Sequence, residues 1–151
     1  MICITAKLLV NFSFCNAFVT NIYKKYALSY HFIMLKKEYR LKKRIAFNAT
    51  YRTGVSFHKG GITVFCGKKK KEDFPTKIGF VVSKKIHKRA VKRNRIKRLM
   101  RESVRLYIKN AQDFDTKYMS LIFVATSRLL GMEFSEVDKN IKKLMDIIEN
   151  A

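Results

Sequence analysis

The chain has 151 residues, among them 33 Lys or Arg against 11 Asp or Glu, a formal net charge of +22. That length suits one domain with a real core rather than two, and the cationic surplus opposes compaction unless a polyanion neutralises part of it. Nucleic-acid phosphate is the leading counter-charge; a membrane surface is the competitor, but it would call for an amphipathic or lipid anchor that the basic segment below supplies poorly.

Residues 1–33 are rich in Phe, Asn, Ile and Tyr, with three Lys and no acidic residue. Lys7, Asn11, Ser13 and Asn16 interrupt the best apolar window, which speaks against a membrane span. Lys7 also lies within the apolar run rather than ahead of it, unlike a secretory signal. The expectation is that Met34 is the natural start, so that 1–33 is an N-terminal extension and 34–151 the domain. A disordered or weakly helical extension is the alternative. Cys3, Cys15 and Cys66 are odd in number and lack CxxC spacing or a nearby histidine pair, which favours a reducing, cytoplasmic setting.

From Met34 the patterning is clearer. Leu41, Ile45 and Ala49 recur every four residues as one helical stripe, and Phe47 and Tyr51 form a second stripe about 140° away; Gly54 is placed to end this helix. Val55 to His58, Ile62 to Cys66 and Ile78 to Ser83 are short, β-branched and aromatic, and read as strands. The lysine-rich loop Lys68 to Asp73 and Pro75 separate the last two and read as solvated. A long helix is predicted over Ala90 to Tyr107, then a buried strand over Met119 to Ala125, giving a βαβ unit. A final helix starts near Ser135, which can cap it with Asp138 three residues on. Val137, Ile141, Leu144, Met145 and Ile148 form its apolar face. The fold class predicted is α+β, a two- or three-layered sandwich with helices covering one sheet.

Residues 84–109 carry twelve Lys or Arg and one Glu, half the net charge of the chain. At about 100° per residue, Ile96, Leu99, Met100 and Tyr107 fall on one side, with Asn94, Arg98, Arg101 and Arg105 in a wedge of roughly 60° opposite. The apolar side can dock on the sheet and leave guanidinium forks outward, suited to bidentate phosphate contacts and stacking on bases. A merely solvated face would be served as well by lysine.

The run Ile78-Gly-Phe-Val-Val-Ser-Lys-Lys, then seven residues, then Arg93-Asn-Arg-Ile-Lys-Arg-Leu-Met-Arg-Glu-Ser resembles the signature of the ribonuclease P protein family. Arg40-Leu-Lys-Lys, Phe47, the Arg52-Thr-Gly turn and Ser56-Phe-His are similar to its amino-terminal half, so the resemblance spans about residues 34–149. It implies a ribosomal protein S5 domain 2-like α/β sandwich, one mixed four-stranded sheet packed with helices, and a left-handed βαβ crossover where general sheet physics would choose a right-handed one. It implies that Arg93, Asn94, Arg95, Lys97, Arg98 and Arg101, with Lys84 and Lys85, contact the catalytic RNA. Phe47, Tyr51 and Phe65 match the aromatic positions of a cleft that holds the single-stranded 5′ leader of precursor tRNA. Both partners are RNA; no membrane or protein partner is implied. Many members have glycine in the loop after Ser-Lys-Lys, where this chain has Ile86-His87-Lys88-Arg89.

No protein active site is legible. His31, His58 and His87 are far apart, none at a catalytic spacing from Ser, Cys or a carboxylate. Glu72, Asp73 and Asp113 to Asp115 read as loop residues. This fits the resemblance, which assigns hydrolysis to the RNA with Mg²⁺ mainly RNA-bound. A structural ribosomal protein is the alternative function, and a general single-strand chaperone a third; the first needs only one RNA-anchoring surface, where the ribonuclease P reading needs two.

Overall fold

The computed structural model describes residues 35–151 except 53, 72, 73, 112, 113 and 115. The expected extension 1–33, Met34, His31 and the acidic residues Glu72, Asp73, Asp113 and Asp115 lie outside the described residues. In chain order the elements are a 3-10 turn Lys37–Tyr39, α1 Arg44–Arg52, β1 Val55–Lys59, β2 Ile62–Cys66, β3 Lys77–Val81, α2 Ala90–Asn110, β4 Ser120–Ala125, a 3-10 turn Ser127–Leu130 and α3 Phe134–Asn150.

The four strands form one mixed sheet in the order β1-β2-β4-β3. β1 and β2 are an antiparallel hairpin closed by Gly60 and Gly61, whose φ values of 56° and 83° give the doubly left-handed two-residue turn that matches strand twist. β2 pairs antiparallel with β4, and β3 pairs parallel with it, so β3-α2-β4 is the expected βαβ unit. Residues 68–70 add a short pairing beside 117–119, with Met119 N–H donating to Lys68 O at 2.9 Å and Lys70 N–H to Lys117 O at 2.8 Å. The root of the lysine-rich loop is therefore tied into the sheet, while Lys68, Lys69 and Lys71 stay exposed.

Side chains alternate across a strand, and register sorts the two faces. Val64 is opposite Phe123, which is opposite Phe80; Phe65 is opposite Ile122, which is opposite Gly79. Ile62, Val64, Cys66, Ile78, Leu121 and Phe123 belong to the main core with Ile96, Met100 and Val104 of α2 and Val137, Ile141, Leu144, Met145 and Ile148 of α3. The apolar face read for the last helix is thus the buried one. Between those helices Ser103 donates to Asp138 at 2.7 Å, and Tyr107 donates to Glu149 at 2.8 Å. α1 lies on the opposite face, with Tyr51 against Phe65 and Thr50 sharing a 2.6 Å hydrogen bond with Ser120. Of the two layerings left open by the sequence, the structure has helices on both faces, although α1 is short.

Two local expectations are corrected. Leu41, Ile45 and Ala49 do not form one helical stripe, since Leu41 precedes α1; within the helix Ala49 is exposed and Ile45 is 82% exposed. A nine-residue helix is oriented by its strongest single contacts, here buried Thr50 and the Phe47 ring, rather than by average apolarity. Ser135 does not cap α3, whose N-cap is Glu133 with no side-chain bond. Asp138 is instead engaged by Ser103 and by Lys142 at 2.6 Å. Boundaries differ by one to three residues elsewhere: β3 runs Lys77–Val81, and α2 continues to Asn110, where Tyr107 packs edge-on to Phe114 at 6.2 Å.

Candidate nucleic-acid interface

α2 begins after a turn that the sequence marks as unusual because it lacks glycine. Ile86 N–H donates to Ser83 O at 3.2 Å, Lys85 N–H to Ser83 Oγ at 3.2 Å and Arg89 N–H to His87 Nδ1 at 3.0 Å. Arg93 closes the loop from within the helix, donating to His87 O at 2.8 Å and Lys88 O at 2.6 Å. Ile86 packs on the core, and no non-glycine residue among those described has positive φ. Side-chain and carbonyl pairing thus holds the turn with ordinary backbone angles, and Lys84 and Lys85 are left exposed on it.

Along α2 the buried positions are Ile96, Met100, Ser103 and Val104, and Asn94, Arg95 and Arg98 are exposed on the other side. The charges are therefore sorted by direction, but the row of four read from the helical wheel is not uniform. Arg105 is gripped by Glu102 through two bonds of 2.9 and 2.6 Å; that hydrogen bond comes first in raising its guanidinium above the usual value. Arg101 leans to the β3 side, its guanidinium carbon 5.7 Å from the centre of the Phe80 ring. Burial, then the fields of Arg40 and Arg98, holds its pKa down. Arg93 serves the loop and Lys97 is half-buried. The outward cationic surface consists of Lys84, Lys85, Lys88, Arg89, Lys92, Arg95 and Arg98, with Asn94 among them.

The aromatic residues assemble on the other face of the sheet. The Phe47 ring lies on β3 at Gly79, where an added Cβ would stand 2.6 Å from Phe47 Cε1 and 2.8 Å from Cζ; only glycine admits the ring so close. Tyr51 meets Phe65 edge-on, centroids 5.0 Å apart at 73°. Tyr51 is 40% exposed, and burial raises its hydroxyl pKa. Thr63, Phe65, Val81 and Val124 are half-buried and share this face by register, with Ser56 and His58 of β1 beyond them. His58 Nδ1 lies 2.9 Å from Thr63 Oγ1. The three aromatic residues picked out in the sequence are thus on one face, with Tyr51 and Phe65 in contact. A separate hollow on the opposite flank of α1 is lined by Leu41, Ala46, Ala49, Thr50, Met119 and Ser120, with Lys68 and Lys77 among its walls.

Gly79, which seats the Phe47 ring, and the Thr50–Ser120 pair, which ties α1 to β4, do not stand out in the sequence. A glycine inside an otherwise β-branched strand is the available signal for Gly79, since it marks a close approach; nothing local marks a threonine 70 residues from its partner. Among the described residues no three His, Cys, Asp or Glu side chains are grouped so as to hold a metal ion, and no helix is long and apolar enough to cross a membrane.

A mixed sheet with a cationic helix on one face and Phe47, Tyr51 and Phe65 together on the other defines a small basic α+β protein. The Ribonuclease P family model matches residues 35–149. The ribonuclease P protein component of Clostridium kluyveri is 36% identical over 110 residues, 71% of this chain and 91% of its own, and that of Exiguobacterium is 38% identical over 108, 72% and 88%. Among solved structures, the Staphylococcus aureus RNase P protein is similar with a TM-score of 0.61 at 27% identity, over 76% of this chain and 100% of its own. The Thermotoga maritima RNase P protein, 22% identical with a TM-score of 0.56 over 74% and 96%, shares the fold. The chain belongs to the ribonuclease P protein family, and as a protein component of ribonuclease P it has an RNA partner in the holoenzyme and a place in tRNA processing.

Proposed function

We propose that the protein grips two RNAs at once: the catalytic RNA through Lys84, Lys85 and the α2 residues Arg93, Asn94, Arg95, Lys97, Arg98 and Arg101, and the 5′ leader of precursor tRNA through Phe47, Tyr51 and Phe65. In this division Arg95 and Arg98 contact phosphate directly, while Arg93 shapes the loop that presents Lys84 and Lys85. Arg101 holds a flank of the surface. The leader's bases stack on the aromatic cleft at about 1–3 kcal/mol each, a contact tolerant of sequence, as varied leaders require. The catalytic RNA supplies the hydrolytic groups for endonucleolytic 5′ cleavage, with Mg²⁺ mainly on RNA phosphates, and the assembly works in the cytoplasm.

The observation that carries this reading is the placement of cationic helix and aromatic cleft on opposite faces of one four-stranded sheet. A ribosomal anchor needs only the first. The test is reconstitution with the partner RNA: at low Mg²⁺ the protein should stimulate precursor tRNA cleavage, more strongly for substrates whose leader is long enough to reach the aromatic residues than for those with a one-nucleotide leader. A folded protein that binds the RNA yet gives no stimulation contradicts the proposal.

A further inference from the structure

The aliphatic residues of α1 have no part in either RNA surface described above, and the core does not bury them. Ile45 is 82% exposed, and Ala49, four residues on and so on the same side of the helix, is exposed as well. Ala49 lines the hollow on the flank of α1 away from Tyr51 and Phe65, which measures about 230 Å³ and has Leu41, Ala46 and Met119 among its walls. Met119 is itself 49% exposed. A cavity of about 150 Å³ already takes a benzene ring, so one bulky side chain fits. The hydroxyls in its wall are engaged: Thr50 Oγ1 donates to Ala46 O at 2.8 Å and shares a 2.6 Å bond with Ser120 Oγ. An occupant therefore meets apolar surface, with neither hydroxyl free to read the edge of a base.

The border of the hollow is cationic, and its cations are lysines. Lys68 and Lys77 belong to the wall, Lys77 donating through Nζ to Glu38 O. Lys42, Lys43, Lys69 and Lys117, all exposed, lie within two residues of lining positions. Among the described residues no arginine lines the hollow, so the planar forks that grip phosphate and stack on bases are missing from it. An apolar centre that includes methionine, set inside a charged border, has the anatomy of a protein–protein contact. The sign of that border selects an acidic partner. Residues 1–33 of the chain carry three Lys and no acidic residue, the wrong charge to be the occupant.

We infer that this flank of α1 docks an acidic segment of a partner protein, which sets one bulky apolar side chain into the hollow and its carboxylates against the surrounding lysines. The surface is distinct from α2, on the other face of the sheet, and from the aromatic side of α1. A partner seated there leaves both RNA surfaces open, and its binding stands or falls independently of them.

The probe is a synthetic glutamate-rich peptide with one central leucine, compared with a twin that has alanine in that place. Each is titrated with the full chain at about 0.15 M salt, with fluorescence anisotropy as readout. The two peptides carry the same charge, so their attraction to α2 is common to both and drops out of the ratio. The leucine peptide should bind about tenfold more tightly than its twin. Ala49→Leu, which fills the hollow from an exposed helical position, should bring that ratio close to one, and the α3 control Lys139→Gln should keep it. Ile45→Glu should weaken both peptides by placing a like charge at the border. Equal affinities of the two peptides for the parent protein overturn the inference, as does full discrimination in a folded Ala49→Leu protein. If that variant does not fold, parental affinities in Ile45→Glu overturn it instead. A tenfold loss of catalytic-RNA or leader affinity in Ala49→Leu reassigns the hollow to RNA, and self-association of the parent that Ala49→Leu abolishes reassigns it to a second copy; either result overturns the acidic partner.

Discussion

Replacing Gly79 by alanine tests whether the Phe47 ring is held where the aromatic cleft needs it. The new methyl would stand 2.6 Å from Phe47 Cε1, 2.8 Å from Cζ and 3.3 Å from Leu41 Cδ2. Non-bonded carbons rest at about 3.5–4.0 Å, so the ring must retreat by roughly 1 Å or α1 must lift with it. Overfilling of this kind costs about 1–3 kcal/mol, and the Thr50–Ser120 bond resists the lift. The consequence for RNA is of similar size to that for the fold, because a displaced ring forfeits stacking worth about 1–3 kcal/mol. Reconstituted holoenzyme carrying Gly79→Ala should lose about tenfold in affinity for leader-bearing over leaderless precursor tRNA, with catalytic-RNA binding unchanged. A double-mutant cycle completes the assay: once Phe47→Ala has removed the ring, Gly79→Ala should add little. Full leader discrimination in a folded Gly79→Ala protein, or additive losses in the cycle, refutes the reasoning.

Three further outcomes concern Thr50, Tyr107 and Cys66. Thr50→Val keeps the shape of the side chain but strands the Ser120 hydroxyl that now shares a 2.6 Å bond; denaturant unfolding should show a loss of about 1–3 kcal/mol, and adding Ser120→Ala to the Thr50→Val variant should recover part of it. Tyr107 has its pKa raised, first by burial and then by its bond to Glu149. Its folded value exceeds the unfolded one near about 10, so its contribution is complete below that pH and is lost as pH rises beyond it. Tyr107→Phe should flatten this alkaline fall in unfolding free energy. Burial pushes the Cys66 thiol up to about 12 and the side chain is 0% exposed, so peptide mapping after alkylation at about pH 8, near the ordinary thiol range, should find Cys66 unmodified until denaturant unfolds the chain.

The parts of the fold that are legible in the sequence are those with period and mass. Val137, Ile141, Leu144, Met145 and Ile148 announce a helix face, and all five are buried; Ile62 to Cys66 is a strand with the bounds its residues suggest. α1 misleads because Ile45 and Ala49 look apolar on a wheel, whereas the helix is seated by a threonine hydroxyl and one ring lodged over a glycine. The same contacts explain why Phe47 and Tyr51 stand apart from the aliphatic positions. The Lys-Gly-Gly-Ile junction of β1 and β2 carries a hairpin signal in its paired glycines. On α2 the wheel gives direction but not engagement: Arg98 and Arg105 share a wedge, yet only Arg105 has a carboxylate three residues before it at the right reach. Arg93, inside the family signature, turns back to cap His87 and Lys88, a role visible only once the loop's carbonyls are placed.

The most direct measurement compares two double variants in one binding assay, Phe47→Ala with Tyr51→Ala and Arg95→Gln with Arg98→Gln, each against catalytic RNA alone and against leader-bearing precursor tRNA in the assembled holoenzyme. Two independent surfaces require the aromatic pair to weaken only the leader-dependent term and the arginine pair to weaken catalytic-RNA binding with a shallower salt dependence. If both variants, folded by circular dichroism, lose both bindings in parallel, the protein has one RNA surface and the division of labour across its sheet is wrong.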